Sequence, residues 1–226
     1  MNKKLKITLY ILVGLVIFYH VLKFSGILVA YSIPASSNEP NIKHGSYTLA
    51  SNLITPKRGD FITYNFNDAL LGKATWMHRL CGIENDTIQI IKGTLFVNGK
   101  NFDEAYSLKH SYILTEQETK SLPYTNTELF LINKKEGRNT YIAHIEDKLA
   151  RRCKLKKARL VTPINRIHPE IQNAYQQKWN KDHFGPLIIP EGKVFVLGDN
   201  RDNSMDSRFN GLIDRNDVTG VLWTTF

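Results

Sequence analysis

The sequence predicts a mainly β fold: an antiparallel sheet or barrel-like domain behind one N-terminal transmembrane helix, with a mixed α/β insertion. Three observations carry that prediction. The chain opens on a charge-free apolar run behind three lysines. Short β-prone runs punctuated by Gly, Pro and Asn follow it, and between about 101 and 185 the texture changes to polar and helix-prone stretches. At 226 residues the chain suits one domain of ordinary size, or one domain plus an appendage.

Lys3, Lys4 and Lys6 precede Ile7 to Leu22, sixteen residues without a formal charge, and Lys23 closes the run. That is slightly short for a spanning helix. Lys23 can snorkel, however, and the second apolar stretch, Phe24 to Ile33, can fill the interface. The competing reading is a cleaved secretory signal, with small residues Ser25, Gly26 and Ala30 behind its apolar core. Both send the rest of the chain out of the cytosol. Lysines at the start favour a cytoplasmic N-terminus. The expected organisation is therefore a cytoplasmic 1–6, a transmembrane anchor at 7–23 in the lipid bilayer, and an extracytoplasmic domain at 24–226 interrupted by the insertion near 101–185.

Beyond the anchor, Ile27 to Ile33 is β-prone and ends at Pro34. Ala35 to Asn41 is turn-rich, and Ser46 to Ala50 is a short strand candidate. Pro56-Lys57-Arg58-Gly59-Asp60 is a turn feeding the strand Phe61 to Phe66. Trp76 to Cys81 reads as a strand with Trp76, His78 and Leu80 on one face. Thr87 to Ile91 and Thr94 to Val97 flank Lys92-Gly93, a two-residue hairpin turn, and Asn98-Gly99 supplies a second turn. In the insertion, Leu129 to Asn133 is a possible strand, Lys148 to Arg159 a basic helical run, and Pro169 to Trp179 a short amphipathic helix. The basic run is either a solvated helix face or a contact for phospholipid headgroups. Strands at Lys193 to Leu197 and Val218 to Phe226 complete the pattern.

A formal net charge of +9 invites a nucleic-acid reading. The charges are spread along the chain rather than interleaved with aromatics as a stacking surface, so no nucleic-acid partner is expected. The cysteines, Cys81 and Cys153, fit no metal-ligand spacing, and no metal or cofactor is expected. Outside the cytosol they could pair or remain thiols.

Ser37 stands on a turn just after the anchor, and such a serine is most often only a turn former. His78 lies on a strand face, where a satisfied core histidine is the ordinary occupant. The stretch Gly198-Asp199-Asn200-Arg201-Asp202-Asn203-Ser204-Met205-Asp206-Ser207-Arg208 follows the apolar run Val194 to Leu197. Such a stretch is either a solvated loop or a buried network that fixes catalytic side chains. A serine nucleophile needs a base within hydrogen-bond reach and a group to orient that base. The chain supplies each type, but spacing does not show that they meet.

Four blocks give these residues a common context. Ile33-Pro34-Ala35-Ser36-Ser37-Asn38-Glu39-Pro40 is similar to a Pro-Ser-x-Ser-Met-x-Pro nucleophile segment. Lys57-Arg58-Gly59-Asp60-Phe61-Ile62 is similar to an Arg-Gly-Asp-hydrophobic strand. Met77 to Thr87 resembles a Lys-Arg-x-x-Gly-x-Pro-Gly-Asp block, with Glu84-Asn85 where Pro-Gly is usual, and the likeness continues through Val97-Asn98-Gly99-Lys100. Gly198 to Arg208 is close to Gly-Asp-Asn-Arg-Asp-Asn-Ser-x-Asp-Ser-Arg. In these blocks the chain resembles the type I signal peptidases, membrane-anchored serine peptidases that release secreted proteins from their signal peptides.

The resemblance implies Ser37 as nucleophile, its backbone N–H as an oxyanion donor, and preprotein signal peptides as partners. It covers the chain from anchor to C-terminus apart from the divergent middle. Three departures stand out. His78 occupies the place of the bacterial lysine base, as in the eukaryotic endoplasmic-reticulum and archaeal branch. Imidazole, with a free pKa near 6.5, is workable there. Asn38 replaces the usual methionine, and Ala35 replaces a serine whose hydroxyl assists the oxyanion in many members. Asp206 is the expected partner fixing the His78 tautomer, with Ser204 as second candidate; Arg208 is expected to hold the Asp206 carboxylate in place, and Asp199 to be a supporting residue. The expected activity is removal of signal peptides after small residues. The alternatives are an inactive anchored relative acting as an accessory or binding protein, and a dedicated maturation peptidase for few substrates.

Overall fold

The computed structural model describes residues 2–68, 72–123, 129–134, 139–155 and 159–226. The apolar run forms one helix, α1 (Lys3–Phe24), with the Asn2 side chain accepting from the Lys4 N–H at its start and Lys23 in its last turn. Mean hydropathy reaches 2.1 along it and no residue of it is buried against the protein, as suits a helix whose apolar surface meets lipid.

The strands follow the turn chemistry. β1 (Val29–Ser32), β2 (Tyr47–Ser51), β3 (Phe61–Asp68) and β4 (Gly72–Gly82) precede a hairpin of β5 (Thr87–Ile91) and β6 (Thr94–Val97), with β7 (Lys100–Asn101) beyond it. Lys92 and Gly93 both have positive φ (48° and 74°), as a tight two-residue turn demands, and Asn98-Gly99 repeats this at 52° and 76°. The insertion contributes β8 (Lys109–Thr115), α2 (Glu116–Thr119), β9 (Leu129–Asn133), β10 (Thr140–Glu146), α3 (Asp147–Arg152) and α4 (Pro169–Tyr175). The chain ends with β11 (His183–Ile188), β12 (Lys193–Leu197), α5 (Ser207–Asn210), β13 (Ile213–Asp214) and β14 (Val218–Thr225).

Three antiparallel sheets result. The largest has seven strands in the order β1-β2-β14-β3-β4-β12-β13; β8-β10-β9 and β11-β5-β6-β7 form the others. β12 explains how the domain is layered. Val194 and Val196 enter one core with Ile62, Tyr64, Leu80 and Val221, while Phe195 and Leu197 enter a second with Ile88, Leu95, Ile171 and Phe184. A strand buried on both faces reads as a continuous apolar run, which is what Val194 to Leu197 is. A third core, around Tyr112, Leu114, Ala143 and Ile145, belongs to the insertion.

Several expectations need correction. The basic helical run stops at Arg152, because Lys154 takes a left-handed backbone (φ 50°); residues 156–158 of that run lie outside the described residues. The helix from Pro169 ends at Tyr175, where Gln176 adopts φ 55° and caps it. The cysteine alternative needs no correction: of the two states left open, Cys81 and Cys153 take that of unpaired thiols, Cys81 buried and Cys153 half-buried. Finally, β8, β10 and β11 are strands that the sequence does not announce.

Candidate active site

Ser37 sits on the turn after β1, fixed from two sides. From the Gly198–Arg208 loop, the Asn200 N–H donates to the Ser37 carbonyl (2.9 Å), Asn200 Nδ2 to the Ser36 carbonyl (3.1 Å) and Asn203 Nδ2 to Ser36 Oγ (2.9 Å). From β4, the Met77 carbonyl accepts from Asn38 Nδ2 (2.8 Å). The side chain at the unusual Asn38 position therefore ties the serine turn to the residue beside His78. Among the described residues neither Ser37 Oγ nor the Ser37 N–H has a hydrogen-bond partner, and both stay available to a ligand. Asn38 Oδ1 and Asn200 Oδ1 are buried without partners among the described residues.

β4 carries His78 inward, 3% exposed. Its ring has two neutral neighbours: Tyr64 Oη lies 2.8 Å from Nδ1, and Ser204 Oγ lies 3.2 Å from Nε2. Burial, opposed in part by Asp206 and assisted by Arg208, pulls the imidazole pKa from 6.5 down to about 4, so the ring is neutral at physiological pH. No hydrogen bond joins His78 to Ser37 among the described residues. Catalytic contacts of this kind often close only in the substrate complex.

Asp206 does not hold the ring. Its Oδ1 accepts from the Arg208 Nε and backbone N–H (2.8 and 3.2 Å), and its Oδ2 from Arg208 Nη2 and the Gly198 N–H (2.8 and 3.1 Å). Burial works to raise this carboxyl's pKa, but Arg208 and the other donors hold it below the usual carboxylate range. Asp206 thus acts on His78 through its field alone. Ser204, the second candidate, is the loop residue that touches the ring. Sequence reading did not single out Tyr64, though a signal for it existed. β3 and β4 pair with Ile62 opposite His78 and Tyr64 opposite Trp76, so alternation puts Tyr64 on the His78 face, diagonal to it.

Most of the loop is buried, with Asn203 and Met205 as its exposed residues. Asp199 takes a two-pronged bond from Arg79 (2.7 and 2.5 Å), whose guanidinium lies 4.1 Å from the centres of both the Phe61 and Tyr106 rings. Arg201 grips Asp103 in the same way (2.8 and 2.5 Å), and Asp202 binds Lys181 and the Ser111 N–H. Gly198 has no alternative: a Cβ there would lie 2.6 Å from the Ser37 carbonyl oxygen and collide with the Ser204 hydroxyl. That close approach sets Ser204 and Ser37 side by side.

Ser37 and His78 open onto one cleft of about 1410 Å³. Its far wall comes from the insertion: Lys109, His144, Ile145, Glu146 and Leu149 line it, and Lys109 pairs with Glu39 at 2.7 Å. The insertion is thus part of the cleft. It is stitched to the loop by backbone bonds from Lys109 N to Asp199 O and from Arg201 N to Lys109 O (both 3.0 Å). Among the described residues no group of three or more His, Cys, Asp or Glu side chains is placed to hold a metal ion.

The family model described as "Signal peptidase, peptidase S26" matches residues 3–226. The chain is 28% identical to signal peptidase IB of Staphylococcus aureus over 223 residues, 94% of this chain and 83% of that protein. It is 26% identical to signal peptidase I P of Bacillus subtilis subsp. natto, over 93% and 82% of the two chains. With signal peptidase I of Buchnera aphidicola it shares 26%, over 85% of this chain and 67% of the other.

Proposed function

The chain belongs to the signal peptidase family, peptidase S26, and on that premise we propose that it is a serine endopeptidase in which Ser37 attacks and His78 serves as the base. Signal peptidase activity follows from the family. The assignment of roles to particular residues is our reading of the site. The observation that carries it is the shared cleft: a serine whose hydroxyl and N–H are unengaged opens onto the same space as a buried, neutral imidazole.

In this reading the Ser37 hydroxyl adds to the scissile carbonyl of a translocated preprotein while its proton passes to His78. The tetrahedral oxyanion is met by the Ser37 N–H. Collapse releases the mature chain's new amino terminus, which takes the proton from His78. A water, deprotonated by the same ring, then hydrolyses the acyl-enzyme. With Ala35 lacking a hydroxyl, one potential oxyanion donor is missing, a loss worth on the order of 10²–10³ in rate. The exposed apolar helix α1 anchors the protein in the membrane, and we place residues 24–226 on the extracytoplasmic side, where signal peptides emerge.

The test is cleavage of a preprotein by the purified full-length protein in detergent. Cutting after a small residue is the expected result, abolished by Ser37→Ala; cleavage that survives this change removes Ser37 from the mechanism. An acylating serine probe separates an active enzyme from an inactive relative, which would take no label.

A further inference from the structure

Burial turns the protons around His78 into a constraint, because each buried donor needs an acceptor. Tyr64 is 1% exposed, and its hydroxyl has one hydrogen-bond partner among the described residues, His78 Nδ1. Two arrangements satisfy that distance. If Tyr64 Oη accepts from an Nδ1–H, the phenol's own proton is left buried with nowhere to go. If Tyr64 Oη donates, the ring proton sits on Nε2, and Ser204 Oγ accepts it. Burial, and then Asp206, push the phenol pKa well up, so Tyr64 remains a protonated donor. Only the second arrangement leaves no fully buried group unmatched, since the proton of the half-buried Ser204 can meet solvent.

We infer that Tyr64 holds the resting His78 ring in its Nε2–H tautomer, with Ser204 accepting that proton. The inference rests on the reading of His78 as the base and refines it. Ser204 lies beside the Ser37 backbone carbonyl across Gly198, so Nε2, the nitrogen it touches, is the one that faces the serine turn. While it carries a proton it has no lone pair for the Ser37 proton. The working form requires one proton to pass from Nε2 to Nδ1, with no change in net charge. Hydroxyl partners permit that exchange at a cost: Ser204 turns from acceptor to donor, while Tyr64 turns from donor to acceptor and its own proton loses its partner, so the working form is the minor tautomer. An ionised carboxylate at the Tyr64 position would accept only, and would hold the ring permanently in the working form. Tyr64 is therefore a positioning residue that sets which nitrogen is free.

The experiment is a multiple-bond ¹H–¹⁵N spectrum of the full-length protein in detergent, labelled at histidine and recorded at neutral pH without substrate. His78 is assigned as the ring whose signals vanish in His78→Gln. The expected pattern is a pyrrole-type Nε2 and a pyridine-type Nδ1. In Tyr64→Phe, which keeps the ring and removes the donor, both nitrogens should shift toward a tautomer mixture. A pyrrole-type Nδ1 in the unaltered protein overturns the inference, as does a Tyr64→Phe spectrum unchanged at His78. Unperturbed signals from the other six histidines report that the variant is folded, and the spectrum of the unaltered protein is decisive without it. Because no substrate is present, loss of the Ser37 assignment would leave this result standing, and the reverse holds equally.

Discussion

Two polar regions meet at His78, and they are built on opposite rules. In the Gly198–Arg208 loop every acidic side chain faces a cation: Asp199 faces Arg79, Asp202 faces Lys181, and Asp206 faces Arg208. At the histidine the partners are two neutral hydroxyls, Tyr64 and Ser204. Paired charges in a dry interior fix geometry, since neither member can leave without stranding the other. Neutral partners fix less, but they leave the imidazole free to change protonation. The loop is scaffold, and the histidine pocket is the part that can move protons.

If that contrast holds, the two regions fail differently. Arg208→Ala would leave Asp206 ionised and unpaired in the core, a change expected to cost about 3–5 kcal/mol of stability. Thermal unfolding should show it as a large drop in Tm, with activity lost because the fold is lost. A variant that keeps its Tm would show that the pair is dispensable. His78→Ala should instead cut cleavage by roughly 10²–10⁴-fold, the usual contribution of a general base. Its Tm should fall by less than that of Arg208→Ala. Equal losses of Tm in the two would erase the distinction between scaffold and proton carrier.

The pH dependence probes the same difference more gently. With the folded pKa of His78 near 4, the base form survives to low pH, so the acid limb of kcat/KM should lie near 4 rather than near the 6.5 of free imidazole. The sign for stability follows. Between those values the unfolded chain binds the proton and the folded chain does not. The His78 contribution is therefore complete above about 6.5 and is lost as the pH falls toward 4, amounting to about 3 kcal/mol. An acid limb that stays at 6.5 in the active enzyme would mean the ring is far better solvated in use than at rest.

How much of this was legible depends on which physical signal each element carries. The hairpin of β5 and β6 was read to its ends, because Lys92-Gly93 and alternating apolar residues are local signals. β8 was missed because His110 and Ser111, adjacent and both buried, put a polar residue on each of its faces and break the apolar alternation. β11 carries Gly185-Pro186 and a register shift beside them, which disguises a strand as a turn. The Gly198–Arg208 loop was recognised by its motif, yet its partners were not, since Arg79, Asp103, Ser111 and Lys181 are distant in sequence. Asp206 was the natural choice for the histidine's partner by residue type. Arg208 was expected to hold that carboxylate; what sequence could not tell is that Arg208 and the Gly198 N–H take up both oxygens and leave the ring to Tyr64 and Ser204.

The finest test of the contrast is Asn38, which belongs to neither rule. Its Nδ2 bonds the Met77 carbonyl and so joins the serine turn to the histidine strand, while its Oδ1 is buried without a partner among the described residues. In Asn38→Ala the lost bond destabilises by about 1 kcal/mol, whereas removal of the unmatched oxygen stabilises by a similar amount. The two effects should nearly cancel in Tm. They do not cancel in the reaction, because the link between Ser37 and His78 is gone and the orphan oxygen never contributed to it. The expected outcome is a several-fold fall in kcat with KM and Tm close to their original values. A variant that loses Tm and kcat together would make Asn38 ordinary packing. One that loses neither would mean that the loop contacts from Asn200 and Asn203 suffice to hold the Ser37 turn.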